Sequence, residues 1–410
     1  NDYGVPSGEG VRIRMQQKRY EAAGEAADPM PGFTRLKFRI ADSDYRHDEI
    51  ESSGEVGTTF RNRATESRLE LRHGGATSGT VGVQLQDREI SALGEEAIVP
   101  KTRSRAAAVF VVEEKDFGAW SADAGIRFER ESRRPEGELP RRDFSLATPA
   151  LGLVWRVAGD YRLALSATQA QRAPSVEELY THGAHHATAT FEIGDAGLRK
   201  EVSRNVDITL RKAAGETRWK VNVYANRIRD FVYAAAEDAD GDDVADRVDE
   251  EGALDPGGEF LVQRFTQGGA RFRGVEAEFE FRPANSGYGV RVFGDLTRGR
   301  LAGGENLPRI APARIGFGAD LAAGAWGASL AAIHAFQQRR TAPLESPTPA
   351  YTRLDAELTW RLQGEKGRTV LLFLQGTNLL DEEIRVHTSY LKNLAPQMGR
   401  SFTAGMRAEF

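Results

Sequence analysis

Three histidines lie within five positions of the stretch ELYTHGAHHATATFE (178–192). They are His182, His185 and His186, and the 410-residue chain has seven histidines in all. Neutral imidazole is a borderline ligand that suits Zn²⁺, and a His-x-x-His spacing lets two rings converge from one turn. The stretch therefore predicts a metal site. The alternative is a set of solvated imidazoles in one exposed loop, and the spacing alone does not separate the two interpretations.

A second candidate site is the acidic stretch EDADGDDVADRVDEEG (237–252). Five of its aspartates fall at positions 1, 3, 5, 9 and 12 of an EF-hand-like loop, where hard oxygen ligands suit Ca²⁺. However, Gly241 stands one place early, and Asp243 occupies the position where the sharp turn requires glycine. An acidic surface loop that attracts cations non-specifically is the alternative. The candidate ligands are Asp238, Asp240, Asp242, Asp246 and Asp249.

The composition limits the classes of function. The formal net charge of -5 argues against a nucleic-acid partner, because nucleic-acid-binding domains are normally basic on one face. The chain has no cysteine, which excludes a disulfide framework, a thiolate nucleophile and a cysteine-type zinc or iron–sulfur site. It also lacks a G-x-S-x-G elbow, a P-loop and an H-E-x-x-H motif, so we do not expect an enzyme.

The dominant pattern of the chain is the alternation of apolar and polar residues. In VEAEFEFR (275–282) every second residue is apolar, and WKVNVYAN (219–226) and FTAGMRAEF (402–410) alternate in the same way. A period of two predicts β-strands, because a helix would spread the polar residues around a cylinder. We count about seventeen strands. They start near residues 11, 33, 58, 79, 102, 119, 144, 161, 199, 217, 261, 287, 308, 325, 351, 368 and 397.

The connections between these strands alternate between short turns and long loops. The long ones lie near 131–143, 172–198, 236–259 and 337–350. Tight periplasmic turns and long surface loops are typical of an outer-membrane β-barrel, whereas a propeller would show a repeat of about 40–45 residues. We therefore predict an all-β, transmembrane antiparallel β-barrel. Such barrels normally have an even number of strands, so an odd count predicts further strands before residue 1.

Three motifs resemble the TonB-dependent outer-membrane receptors: QRAPSVEELY (171–180), GTNLLDEEIRVHTSYL (376–391) and GRSFTAGMRAEF (399–410). The resemblance implies that residues 1–410 are the barrel domain of a 22-strand receptor, with about five strands, the plug domain and the TonB box preceding residue 1. It implies a location in the outer membrane of a Gram-negative bacterium. The implied partners are the TonB complex acting through the plug, outer-membrane lipid, and the barrel-assembly machinery, which reads a terminal aromatic residue such as Phe410.

Within that family the chain most resembles the zinc receptors of the ZnuD type. The resemblance is carried by residues 94–100, 177–201 and 387–402. It implies an active-transport receptor for zinc or a zinc-bearing ligand, which is captured at the extracellular loops. His182 and His185 match the receptors' HGxH motif, and His186 is an additional imidazole.

Other ligands of the metal are expected from outside the histidine stretch, because a zinc site is usually four-coordinate. Glu95 and Glu96 resemble the receptors' acidic ligand position, and their alternative role is that of solvated loop carboxylates. His387 is expected to be structural, and His73 lies in a predicted periplasmic turn. The alternative cargoes are a siderophore, haem or copper, and the alternative classes of protein are a passive porin or an adhesin. Calcium is the cofactor expected if the acidic stretch binds a metal.

Overall fold

The computed structural model describes residues 2–4, 12–94, 97–363 and 368–409. Strands dominate these residues, which also contain one turn of α-helix, α1 (Val176–Tyr180), and a 3-10 turn at His186–Thr188. No helix in this part of the chain is long and apolar enough to cross a membrane. The strands are β1 (Asp2–Gly4), β2 (Arg12–Met30), β3 (Phe33–Ile50), β4 (Val56–His73), β5 (Ser78–Gly94), β6 (Thr102–Asp116), β7 (Trp120–Pro135), β8 (Arg142–Ala158), β9 (Tyr161–Arg172), β10 (His182–His185), β11 (Thr190–Ile193), β12 (Glu201–Lys212), β13 (Thr217–Ala236), β14 (Arg247–Val248), β15 (Phe260–Phe281), β16 (Tyr288–Leu301), β17 (Arg314–Ala323), β18 (Trp326–Ala335), β19 (Tyr351–Gln363), β20 (Thr369–Thr377) and β21 (Ser401–Glu409).

All 21 strands belong to one sheet. Its framework consists of the seventeen described strands of nine residues or more, which follow one another in chain order as antiparallel neighbours. The predicted all-β antiparallel fold and the count of about seventeen strands are therefore confirmed. In the described residues, β2 pairs with β3 and the short β1, and β21 pairs with β20. The four short strands lie outside this framework; three of them, β10, β11 and β14, belong to long loops.

One face of the sheet carries a broad band of exposed apolar side chains. On β15, Val275 lies between Val223 of β13 and Leu296 of β16 in the cross-strand register. Phe279 lies in the same face and is 43% exposed. The opposite face of β15 is acidic, and Glu278 lies 3.6 Å from the guanidinium of Arg291. The apolar face is the outward, lipid-facing side, because lipid rather than water surrounds such a band.

The two ends of the sheet differ. Near the short turns, pairs of aromatic rings pack on the outward face: Trp120 stacks on Trp155 with ring centroids 5.0 Å apart, and Trp326 stacks on Trp360 at 5.4 Å. Aromatic girdles mark the membrane interfaces of outer-membrane barrels, and the periplasmic turns of these barrels are short. The end with short turns is therefore periplasmic, and the long loops are extracellular.

Of the apolar clusters in the described residues, the one with the most buried side chains lies among the extracellular loops. α1 begins at Ser175, whose hydroxyl accepts a hydrogen bond from the N–H of Glu178 while the Glu178 carboxylate accepts one from the N–H of Ser175. Arg172 donates to the carboxylates of both Glu178 and Glu201, which ties α1 to the ends of β9 and β12. The QRAPSVEELY motif thus has a structural role. The residues of this core include Phe144, Leu146, Val176, Leu179, Tyr180, Leu198 and Val232.

Candidate functional site

The histidine stretch forms a β-hairpin, β10–β11, inside the long loop between β9 and β12. Its turn contains Ala189 in the left-handed region, with φ at 52°. β11 then pairs in parallel with the extracellular end of β15, from Leu261 to Arg264. On the other edge of that same end, Val248 of β14 pairs with Phe260. The extracellular end of β15 therefore positions both the histidine hairpin and the loop that carries the acidic stretch.

His182 and His185 lie on opposite faces of β10, because side chains alternate along a strand. His182 is exposed, and its ring lies edge-on to Phe191 with centroids 5.5 Å apart. On the other face, Nδ1 of His185 lies 2.9 Å from Oε1 of Glu192 in a hydrogen bond. The hydroxyl of Thr190 donates to the same carboxylate oxygen at 3.2 Å. The hairpin thus brings His185 to Glu192 and not to His182, and a joint ligand role of the two histidines stays a prediction.

His186 is buried directly beyond the hairpin strand. Its ring packs edge-on against Phe260 at 4.8 Å, and its Nε2 lies 3.7 Å from Oε1 of Glu250. That separation is within the range of an ion pair and is too long for a hydrogen bond. His186 therefore links the hairpin to the acidic loop.

The hairpin also contacts the segment that follows Glu95 and Glu96. The backbone N–H of His182 donates to the carbonyl of Ile98 at 2.8 Å. Gly183 makes this approach possible, because its φ is 147° and a Cβ at that position would lie 2.7 Å from a methyl of Ile98. The histidine hairpin and the segment that follows Glu95 and Glu96 are therefore in contact. Glu95 and Glu96 themselves lie outside the described residues, so their role as ligands stays a prediction.

The electrostatics of the hairpin favour a shared proton between His185 and Glu192. Burial lowers the pKa of His185, but the hydrogen bond and negative charge of Glu192, with Glu49 at longer range, outweigh it and raise the pKa above the usual value of 6.5. A zinc ion would replace that proton. Ligand atoms in a tetrahedral zinc site lie about 3.4 Å apart, so a shift of roughly 0.5 Å would convert the pair into two zinc ligands.

Three of the five candidate aspartates in the acidic loop converge. Asp238, Asp240 and Asp246 bring carboxylate oxygens within 4.8 Å of one another. Within the described part of the chain, no other group of three or more histidine or acidic side chains has this geometry. Asp242 and Asp249 turn elsewhere, accepting hydrogen bonds from the backbone N–H groups of Val244 and Ala253.

The backbone of the acidic loop explains why its departure from the EF-hand spacing is tolerated. Gly241 and Asp243 both adopt left-handed conformations, with φ at 76° and 63°. The carboxylate of Asp238 accepts hydrogen bonds from the N–H groups of Gly241, Asp242 and Asp243 at 2.7–3.1 Å. Asp243 therefore makes the turn that glycine normally makes, and aspartate is among the few residues that enter this region readily.

A buried ion cluster that the sequence did not predict fastens three extracellular loops together. Oε1 of Glu345 lies 3.3 Å from Nε2 of His387 and 3.2 Å from Nζ of Lys392, and Glu345 also accepts the N–H groups of Arg309 and Ala342. Burial raises the pKa of Glu345, but these donors outweigh it and hold the pKa at about 2. His387 is 1% exposed and has the structural environment expected for it.

The predicted residues and the observed contacts do not coincide at Phe410, Glu192 and Glu250. Phe410, the predicted signal for the assembly machinery, lies outside the described residues. Glu192 and Glu250, by contrast, were not predicted although both contact histidines. The signal for Glu192 was its place seven residues after His185, which becomes a cross-strand contact only when a hairpin forms between them.

The family and its solved members agree with this architecture. The model of the family described as "TonB dependent receptor-like, beta-barrel" matches residues 12–379. A curated relative, "Heme/hemopexin utilization protein C" of Haemophilus influenzae (strain 86-028NP), is 27% identical over 195 residues, which is 43% of this chain and 25% of that protein.

Among solved structures, the copper transporter OprC superposes with a TM-score of 0.81 at 13% identity, over 98% of this chain and 66% of that one. The FrpB iron transporter from Neisseria meningitidis (F3-3 variant) superposes with a TM-score of 0.74 at 13% identity, over 97% and 63%. The chain thus spans a quarter of the curated relative and less than two thirds of the FrpB chain. The match to the family model over most of its length shows that the chain belongs to the TonB-dependent receptor β-barrel family, whose members are Gram-negative outer-membrane proteins.

Proposed function

We propose that the chain is the barrel part of an outer-membrane active-transport receptor that captures zinc or a zinc-bearing ligand at its extracellular loops. The observation that supports this proposal most is the pair formed by His185 and Glu192, whose ligand atoms lie 2.9 Å apart at the extracellular end of the sheet. Imidazole and carboxylate are both common zinc ligands. Water, Glu95, Glu96 or residues of a plug domain would complete the coordination.

The hairpin supplies a physical route for capture. Its backbone is held by the parallel pairing with β15 and by the contact between His182 and Ile98, so the ligand pair is positioned before the metal arrives. Positioned ligands reduce the ordering cost of binding. By family membership, the TonB complex would supply the energy for inward release through the plug.

A second candidate cargo is haem. The curated relative is named for haem and haemopexin utilisation, and the exposed imidazole of His182 lies against the aromatic ring of Phe191. Histidine is a common axial ligand of haem iron, and the buried Phe191 ring supports the exposed imidazole of His182 from below. This candidate uses His182, whereas zinc capture uses His185 and Glu192. The two cargoes are therefore separable by substitution.

The test is growth and metal uptake in a bacterium that depends on this receptor for zinc. We expect His185→Ala and Glu192→Gln to abolish zinc-limited growth and TonB-dependent uptake of radioactive zinc. His73→Ala is the matched control, since His73 forms a similar hydrogen bond to Glu113 at the periplasmic end. Zinc uptake that persists in both hairpin variants, together with haem-dependent growth that is lost in His182→Ala, would replace zinc by haem as the cargo.

A further inference from the structure

Six arginines lie on the outward face of the sheet, directly above its apolar band on the extracellular side. They form what we call the arginine belt: Arg204 on β12, Arg227 on β13, Arg271 and Arg273 on β15, and Arg298 and Arg300 on β16. All six are exposed. The next outward residue toward the periplasm is apolar on each strand: Val206, Ala225, Val275 and Leu296.

The strand register places these arginines directly opposite one another. Arg204 pairs with Arg227, which pairs with Arg271, which pairs with Arg300. On the next outward row, Arg273 pairs with Arg298. Like charges directly opposite across strands are destabilising. A row of four cross-strand arginines therefore requires compensation by negative charge.

The described part of the chain does not supply that negative charge. None of the six guanidinium groups forms an ion pair there, and Arg204 donates to the side-chain amide of Gln169 at 3.0 Å. The nearby Asp230 is taken by Arg199 at an ion-pair contact and by Arg229 at 3.6 Å. The compensating anion must then come from the surroundings of the barrel.

The same face and the same end of the sheet look different on β3 to β6. There, Arg103 and Arg105 both contact Asp87, at 2.7 and 3.0 Å, and Arg63 lies 3.4 Å from Asp44. The chain neutralises its outward arginines with its own carboxylates in that region. The belt is therefore a local departure and not a general property of the extracellular rim.

Two clefts open between the arginines. One, of about 290 Å³, lies among the ends of β12, β13 and β15. The other, of about 410 Å³, lies beside β16. Guanidinium groups form bidentate hydrogen bonds with phosphate oxygens, and arginine is the residue that matches this planar geometry best. The first cleft is lined by Arg204, Arg227, Arg229 and Arg271, and the second by Arg298, Arg300, Arg339 and Arg340.

We propose that the arginine belt binds the phosphate groups of a phosphorylated glycolipid in the outer leaflet around the barrel. The belt stands at the height where an apolar membrane core gives way to headgroups, and it faces lipid and not the lumen. Basic residues at that height attract anionic headgroups. This site is separate from the histidine hairpin and does not depend on which cargo the receptor carries.

The proposal is tested with the purified receptor and phosphatidylcholine vesicles that contain either lipid A or dephosphorylated lipid A. We expect the receptor to bind the lipid A vesicles more tightly, with an affinity that falls as salt rises. The double variant Arg271→Gln, Arg298→Gln should weaken lipid A binding roughly tenfold or more. Arg103→Gln with Arg105→Gln is the matched control and should bind like the parent.

Three results would overturn the proposal. Equal binding of lipid A and its dephosphorylated form by the parent receptor would show that phosphate groups are not recognised. Unchanged lipid A binding by the double variant, with a native near-ultraviolet circular dichroism spectrum, would show that the arginines do not bind the lipid. Displacement of lipid A by millimolar inorganic phosphate would identify a site for free phosphate in place of a lipid site.

Discussion

Two histidine–glutamate pairs with almost the same geometry stand at opposite ends of this barrel. Nδ1 of His185 lies 2.9 Å from Glu192 in the extracellular hairpin, and Nε2 of His73 lies 2.8 Å from Glu113 beside a periplasmic turn. Each pair depends on a glycine. Gly183 lets the hairpin approach Ile98, and Gly79, between β4 and β6, lets His73 reach Glu113 across its own strand.

The two pairs differ in their surroundings. Around His185 lie the buried hydroxyl of Thr190, the negative charge of Glu49, and the segment that follows Glu95 and Glu96. Around His73 lies the outward face of the sheet, in the register of Gly79 and Glu113. A hydrogen bond of the same length therefore has different uses. The extracellular pair lies beside a buried hydroxyl and a second negative charge, and the periplasmic pair joins β4 to β6 across β5.

Among the substitutions that leave every proposed ligand in place, the largest effect on zinc affinity is expected at Gly183. Gly183→Ala would place a Cβ 2.7 Å from Ile98 at a φ that side chains rarely adopt, so the hairpin must move. Backbone strain of this kind costs on the order of 1–3 kcal/mol, and we expect zinc affinity to fall about tenfold without loss of any ligand. Gly79→Ala should separate His73 from Glu113 and leave zinc affinity unchanged. Equal zinc affinities for the parent and both variants, measured by calorimetry, would contradict the comparison.

A smaller effect is expected from pH. Because Glu192 raises the pKa of His185, a proton competes with zinc up to a higher pH than at an ordinary histidine. Zinc affinity should therefore fall as pH decreases through a value above 6.5. The stability of the metal-free protein depends on pH in the opposite direction. A raised histidine pKa stabilises the fold at low pH, and this contribution is lost as pH rises through the folded-state pKa.

Hydrogen exchange of the hairpin and NMR titration of the His185 ring measure these two effects. Glu192→Gln should lower the pKa of His185, and the hairpin amides of the parent should exchange more slowly at pH 5 than at pH 8 after correction for the intrinsic rate. A pKa of His185 that does not change in Glu192→Gln would show that the pair does not share a proton.

The smallest effect is expected in the acidic loop, which we propose as a weak calcium site. Asp240→Asn should abolish a saturable calcium transition, because Asp240 belongs to the converging group with Asp238 and Asp246. Asp242→Asn removes the same charge from a side chain that points elsewhere, and it should keep the transition. If calcium binding weakens equally in both variants and disappears at high salt, the acidic surface attracts the cation non-specifically.

The strands were predictable because alternation is a local signal. Most predicted starts lie within two residues of the observed ones, but β17 begins at Arg314 and not near 308. The intervening residues include Pro308, Pro312 and a left-handed Arg309, and proline cannot donate to a strand ladder. Alternation within the flanking residues did not reveal this interruption.

The site was less predictable than the strands. The three histidines and the acidic loop were identifiable from residue type and spacing, but the pairing of His185 with Glu192 follows from the register of a hairpin inside a loop. That register is fixed by parallel pairing with residues 261–264, which are about 70 residues away in sequence. No local pattern contains this information, and none shows that Asp238, Asp240 and Asp246 converge while Asp242 and Asp249 accept backbone hydrogen bonds.

We propose above all that the extracellular pair, and not its periplasmic counterpart, captures the metal. Calorimetric zinc titration of the receptor tests it with four variants: His185→Ala, Glu192→Gln, His73→Ala and Glu113→Gln. We predict a saturable transition in the parent that is weakened about a hundredfold in the two hairpin variants, as loss of one ligand of a positioned site would do, and is unchanged in the two periplasmic variants. Zinc binding of equal strength in all five proteins would contradict the account.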